Sequence, residues 1–180
     1  MLAAPPRYGG RVNPHPPTVV VLMGVSGAGK TTVGLAAAEI AGVTFLDADA
    51  LHPAANLAKM AAGTPLDDDD RAPWLDAVAA ALVTEAPCIV ACSALRTAYR
   101  DRLRRDAPHV RFVLLDLDRP ALEARLSARA GHFMPAALLD SQLATLEPPT
   151  PGEAVLVLDA ARPVDELATA VAALAAPRVD

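Results

Sequence analysis

Apolar positions along this chain fall into two alternating rhythms. Val19-Val20-Val21-Leu22-Met23 is an unbroken apolar run of strand length, the pattern of a parallel strand buried on both faces. Lys30 to Ala41 reads as a helix, and Val43 to Leu46 as a short strand running out into Asp47-Ala48-Asp49. Pro53 to Ala62 reads as a helix with Gly63 just past its end. Pro73, a residue favoured in a first helical turn, is expected to open the next helix, through Glu85. Cys88 to Ala91, Val110 to Leu117 and Ala154 to Leu158 are further strands. Helices are expected over Arg96 to Asp106, Arg119 to Ala130, Pro135 to Leu146 and Val164 to Leu174. Alternating strands and helices predict an α/β three-layer sandwich around a central parallel five-stranded sheet.

Composition narrows the function classes. A chain of 180 residues, 53% hydrophobic and 21% charged, suits one compact domain with a proper core. That domain is expected over residues 18–180, behind a flexible leader of residues 1–17 with five prolines and no signal-peptide layout. A net charge of −5 argues against nucleic acid as the main partner, and no apolar run approaches the ~20 residues of a membrane span. The two cysteines, Cys88 and Cys92, are too few for a disulfide framework, so a cytoplasmic setting is expected. Four apart on a strand, they share a face and are expected in the core rather than at a metal. Positive charge is written as 14 Arg and only 2 Lys, which draws attention to Lys30 and Lys59.

Gly24-Val25-Ser26-Gly27-Ala28-Gly29-Lys30-Thr31 fits the P-loop pattern, between a buried strand and a helix that continues through Thr32. Backbone N–H groups that turn inward around a phosphate need glycine where the loop is tightest. The helix starting at Lys30 adds the positive end of its dipole. Lys30 is placed to reach the β- and γ-phosphates, and Thr31 to ligate Mg²⁺. A nucleoside triphosphate and Mg²⁺ are therefore expected at this loop. A GTPase would carry Asp-x-x-Gly and Asn-Lys-x-Asp, and neither occurs. The chain is also short for a transport or remodelling ATPase, which leaves a small-molecule kinase as the best fit.

The acceptor side is expected where the second strand ends, because ligands of doubly wound sheets sit at the carboxyl ends of the strands. Asp47 and Asp49, two apart on an extended stretch, would point in opposite directions, one to Mg²⁺ and one to an acceptor hydroxyl. Turn and capping chemistry is the competing reading of that pair. The run Asp67 to Asp70 reads as a solvated approach to the Pro73 helix, Asp70-Arg71 as a pair shaping the pocket, and Trp74 as its anchor.

From this segment onward the chain resembles the gluconokinases of the nucleoside-monophosphate-kinase-like P-loop group. The resemblance rests on Asp47-x-Asp49-x-Leu51-His52-Pro53, on Asn56 with Lys59-Met60, and on Gly63-x-Pro65-Leu66 through Asp70-Arg71-x-Pro73-Trp74-Leu75. It continues in Val90-Ala91-Cys92-Ser93-Ala94-Leu95, Tyr99-Arg100-Asp101 and Arg125-Leu126. It ends with Arg129-x-Gly131-His132-Phe133-Met134, Leu138-Leu139, Ser141-Gln142 and Leu146-Glu147. Departures are Ala48 where the family usually has Gly, Ala28 where it has Ser, and Leu143 where an aromatic is common.

The resemblance implies a P-loop kinase fold with a small helical lid over about residues 119–146 and an acceptor-binding segment over about 47–75. It implies phosphorylation of D-gluconate to 6-phospho-D-gluconate with ATP and Mg²⁺ as cofactors, and it suggests a dimer. Asp49, His52, Lys59, Ser93, Arg100, His132 and Gln142 are then the candidate substrate contacts, with Asp49 at the reacting hydroxyl and Asp47 nearer Mg²⁺. Arg125 and Arg129, four apart on one helix face, resemble the family's lid arginines, which join Lys30 and Asp49 as catalytic candidates. A solvated helix face is the plainer reading of the two arginines, a helix-surface lysine that of Lys59, and a packed histidine that of His132. Rival functions are another small-acceptor kinase, such as a shikimate-like one, and an ATP-binding regulator without turnover.

Overall fold

A computed structural model describes residues 18–128 and 136–176. Five parallel strands form one sheet: β1 (Val19–Met23), β2 (Thr44–Asp47), β3 (Cys88–Ala91), β4 (Arg111–Asp116) and β5 (Val155–Asp159). Their spatial order is β2-β3-β1-β4-β5. Among the described residues, seven α-helices connect and cover them: α1 (Lys30–Ala41), α2 (Ala54–Ala61), α3 (Asp68–Thr84), α4 (Thr97–Asp106), α5 (Arg119–Ser127), α6 (Ala136–Thr145) and α7 (Val164–Ala175).

The alternation of side chains along a strand divides the core in two. Val20 and Leu22 of β1 join Ile89, Val113 and Leu115 under Val33 and Ala37 of α1 and Leu167 and Val171 of α7. Val19, Val21 and Met23 face the other way, with Val90 and Phe112, onto Trp74 and Val78 of α3 and Leu103 of α4. A strand buried on both faces has no polar position to offer, which is why β1 reads as pure Val-Leu-Met. Cys88 and Cys92 both lie in the second cluster, as expected. Gly34 lets α1 approach the sheet, because a Cβ there would lie 2.4 Å from Cε2 of Phe45.

Most element boundaries fall within a residue or two of the sequence expectation. Helix α5 ends at Ser127 where Ala130 was expected, residues 129 and 130 lying outside the described residues, and α3 departs most. It begins at Asp68, not at Pro73, which lies inside it. Asp67 caps the helix by accepting from the Asp70 N–H, and the Asp70 side chain accepts from the Asp67 N–H in return. The aspartate run is therefore the cap and first turn of the helix rather than its approach. Negative charge suits the positive end of the helix dipole. Among the described residues, no helix is long and apolar enough to cross a membrane.

Candidate active site

The loop between β1 and α1 carries three glycines at positive φ, Gly24 at 132°, Gly27 at 87° and Gly29 at 102°. At Gly24 a Cβ would also lie 2.9 Å from the Leu115 carbonyl oxygen, so glycine is needed twice over. Ala28 is buried and does not have a positive φ, so its methyl introduces no backbone strain. Lys30 Nζ donates to the carbonyls of Gly24 (2.9 Å) and Val25 (3.1 Å), which folds the ammonium back over the loop.

Asp47 and Asp49 take different paths, though not on an extended stretch. Asp47 ends β2, and Ala48–Leu51 form a short 3-10 turn that Asp47 caps by accepting from the Asp49 N–H at 3.1 Å. Its other carboxylate oxygen accepts from the Thr31 hydroxyl at 3.0 Å. Asp47 thus joins the turn to the first turn of α1, while Asp49 lines a pocket that Lys30 also lines. Trp74 fixes the turn from below by donating Nε1–H to the Ala48 carbonyl at 2.7 Å.

The described residues include no group of three or more His, Cys, Asp or Glu that could hold a metal by itself. The Thr31–Asp47 pair suits Mg²⁺, which keeps several waters and binds through one or two protein groups plus substrate phosphates.

One pocket of about 530 Å³ runs from the P-loop to the segment that follows β2, a volume typical of small-molecule sites. It brings together six residues singled out in the sequence: Ser26, Lys30, Asp49, His52, Ser93 and Gln142. His52 stacks on Trp74 with ring centroids 4.4 Å apart. Burial pushes its pKa below the ordinary 6.5, helped by the Arg71 charge and opposed by Asp49. Asn56 Nδ2 lies 3.3 Å from His52 Nδ1. An amide nitrogen can only donate, which assigns the imidazole proton to Nε2.

Gln142, on α6, reaches the P-loop. Its Oε1 accepts from the Ser26 N–H at 2.7 Å, and its Nε2 donates to the Ser26 hydroxyl at 3.2 Å. Arg125, on α5, donates to the Ala28 carbonyl at 3.2 Å and to the Ala160 carbonyl at 2.7 Å, so it lies against the same loop. Thr32 sits exposed in the first turn of α1.

Two expected substrate contacts are placed elsewhere. Arg100 has a fully buried side chain that grips Glu153, with Nε at 2.6 Å and Nη2 at 2.9 Å from the carboxylate. It also donates to the carbonyls of Ala94, Leu95 and Glu147. The Arg100 bonds to its carboxylate, with the Thr150 N–H and the nearby Arg104 charge, hold Glu153 down to a pKa of about 2. Lys59 holds both oxygens of Asp70 at 2.6 and 2.7 Å, which raises its pKa. Asp70 is therefore the partner of Lys59, not of Arg71. Arg129 and His132 lie outside the described residues.

The pocket wall also includes Met60, Leu95 and Ser141, which the sequence placed in motifs without a role of their own, and Arg71, which was expected to shape the pocket as a pair with Asp70. Desolvation raises the Cys92 thiol to about 12 and the Cys88 thiol to about 11, which leaves neither as a nucleophile.

A phosphate-gripping loop that shares one cavity with a carboxylate-bearing acceptor segment defines a P-loop kinase of small molecules. A family described as an AAA domain matches residues 19–149. The thermosensitive gluconokinase of Escherichia coli (strain K12) is 47% identical over 141 residues, 76% of this chain and 75% of that protein. The gluconokinase of Gluconobacter oxydans (strain 621H) is 48% identical over 144 residues, 78% of this chain and 81% of that protein. A crystal structure of a gluconokinase from Sinorhizobium meliloti 1021 superposes with a TM-score of 0.80 at 45% identity, covering 88% of this chain and 91% of that one. The chain belongs to the gluconokinase family.

Proposed function

We propose that this protein transfers the γ-phosphoryl group of ATP to D-gluconate, giving 6-phospho-D-gluconate and ADP. The observation that carries the reading is the single cavity whose wall includes both Lys30 of the P-loop and Asp49 of the acceptor segment. Family membership supplies the acceptor.

Phosphoryl transfer demands positioning and charge stabilisation more than covalent chemistry from the protein. The inward N–H groups of the loop and the dipole of α1 bind the β- and γ-phosphates. Lys30 stabilises the charge that develops on the transferring group. Asp49 accepts a hydrogen bond from the terminal hydroxyl of gluconate, aims its oxygen at the γ-phosphorus and takes its proton as the bond forms. His52, donating through Nε2, and Ser93 and Gln142 bind the remaining hydroxyls. Thr31 and Asp47 would hold Mg²⁺, which neutralises phosphate charge when bound with the nucleotide.

Residues 119–146 serve as the lid. The reading is supported by Arg125 and Gln142, which reach the P-loop from α5 and α6. A closed lid keeps water from the γ-phosphate, so that the sugar acid is phosphorylated in its place. The cytoplasm, where ATP is made and thiols stay reduced, suits this reaction.

The test is ADP release from ATP and Mg²⁺ with D-gluconate, shikimate, nucleoside monophosphates or no acceptor. Release that depends on gluconate is expected. Release with shikimate instead, or none with any acceptor, would replace the reading with one of its rivals.

A further inference from the structure

Gluconate is an anion, and its recognition needs a cation at the far end of the pocket from the reacting hydroxyl. The sequence offered Lys59 and Arg100, and the structure engages both elsewhere, with Asp70 and with Glu153. Lys30 belongs to the phosphates. Among the described residues lining the pocket, that leaves one further guanidinium or ammonium group, Arg71.

Its setting is that of a ligand-binding guanidinium. The Arg71 side chain is only 14% exposed, yet its one hydrogen bond among the described residues is a 3.3 Å contact from Nη1 to the Tyr99 hydroxyl. Its nearest carboxylate, Asp68, stands 4.0 Å away and is held more closely by Arg96, at 2.6 Å, and by the Tyr99 hydroxyl. A guanidinium has five N–H donors in a fork that matches a carboxylate, so most of this fork remains available to the cavity. Position along the cavity agrees. Asp49, His52 and Arg71 line the same cavity, and the charges of Asp49 and Arg71 both act on the His52 ring. A linear sugar acid with its reacting hydroxyl at Asp49 can then pass His52 and end at Arg71.

We propose that Arg71 binds the substrate carboxylate through its guanidinium fork and so restricts this kinase to acidic acceptors. The assignment rests on the proposed reaction and adds the group that distinguishes a sugar acid from a neutral polyol. Arg71 takes no part in the chemical step. It sets KM and selectivity.

The test compares D-gluconate with D-gluconamide, its neutral counterpart with the same hydroxyls, in wild type, Arg71→Met and Arg71→Lys. The wild type is expected to favour gluconate strongly. Arg71→Met should raise the gluconate KM on the order of 100-fold and erase the preference over gluconamide, with the ATP KM unchanged. Arg71→Lys, a point charge without the fork, should recover part of the loss. An unchanged ATP KM also reports a folded enzyme, since a merely structural defect would lower turnover with both acceptors and keep their ratio. If the wild type turns over gluconate and Arg71→Met keeps the same preference, the assignment to Arg71 is wrong while the reaction stands. If the wild type releases no ADP with gluconate, the reaction is wrong and the assignment falls with it.

Discussion

The Thr31 hydroxyl donates a 3.0 Å hydrogen bond to Asp47 Oδ2, joining the first turn of α1 to the end of β2 across the intervening strand β3. The contact brings a hydroxyl and a carboxylate, the two protein oxygens proposed for Mg²⁺, to one point beside the phosphate loop. Asp47→Asn keeps one oxygen to accept from the Asp49 N–H, lets Nδ2 donate to the Thr31 hydroxyl instead, and removes the charge. The Mg²⁺ concentration for half-maximal rate at fixed ATP should rise about 10- to 100-fold, with thermal melting little changed. A rate profile against Mg²⁺ that matches the wild type would remove Asp47 from the ion's surroundings.

Arg100 and Glu153 form a structural clamp in place of a substrate contact. Arg100 ties the loop after β3, which carries Ser93 and Leu95 into the pocket, to the segment that follows α6. Arg100→Met deprives the Glu153 carboxylate, whose side chain is only 9% exposed, of its bidentate partner and leaves it Arg104 at 3.8 Å, which should cost about 3 kcal/mol by urea unfolding. The pH dependence follows from the sign of the shift. Glu153 holds its proton less well in the folded state, near 2 against an ordinary 4.5. Its contribution is thus complete above 4.5 and fades as pH falls towards 2. Acid unfolding of Glu153→Gln should be shallower over that window; an identical slope would show that the pair does not shape acid stability.

His52 gives a second pH signature, in activity. Burial against Trp74 disfavours the imidazolium, so the ring is neutral at pH 7 and offers Nε2–H to the substrate. Protonating Nδ1 would break the contact with Asn56. The rate at low gluconate should therefore fall as pH drops below 6.5, and His52→Asn should flatten that limb while lowering kcat/KM at pH 7 about tenfold. Stability should decline over the same range, because the unfolded histidine binds its proton more readily than the folded one. A wild-type limb that survives in His52→Asn would assign it to another group.

The strands and the P-loop were legible because their signals are local. Five apolar residues from Val19 to Met23 announce a doubly buried strand, and the glycines at 24, 27 and 29 announce a loop at positive φ. The start of α3 was misread because Pro73 suits a first turn on its own, whereas the capping box of Asp67 and Asp70 needs both residues considered together. The site cations were harder. Which partner holds Arg100 depends on Glu153, 53 positions away, and which holds Lys59 on Asp70, 11 away. No spacing rule reports that Arg71, next to Asp70 in sequence, faces the cavity while its neighbour faces Lys59. Competition for partners across elements decided these side chains, and it is visible only once the chain has folded.

Whether Asp49 directs a gluconate hydroxyl at the γ-phosphorus is tested most directly by single-turnover phosphorylation with Asp49→Asn, followed by ³¹P NMR. The wild type should convert ATP and gluconate into ADP and a phosphate ester at the terminal carbon. The variant should bind ATP with unchanged affinity yet form that ester about 10² to 10⁴ times more slowly. Ester formation at the wild-type rate in Asp49→Asn would contradict the mechanism.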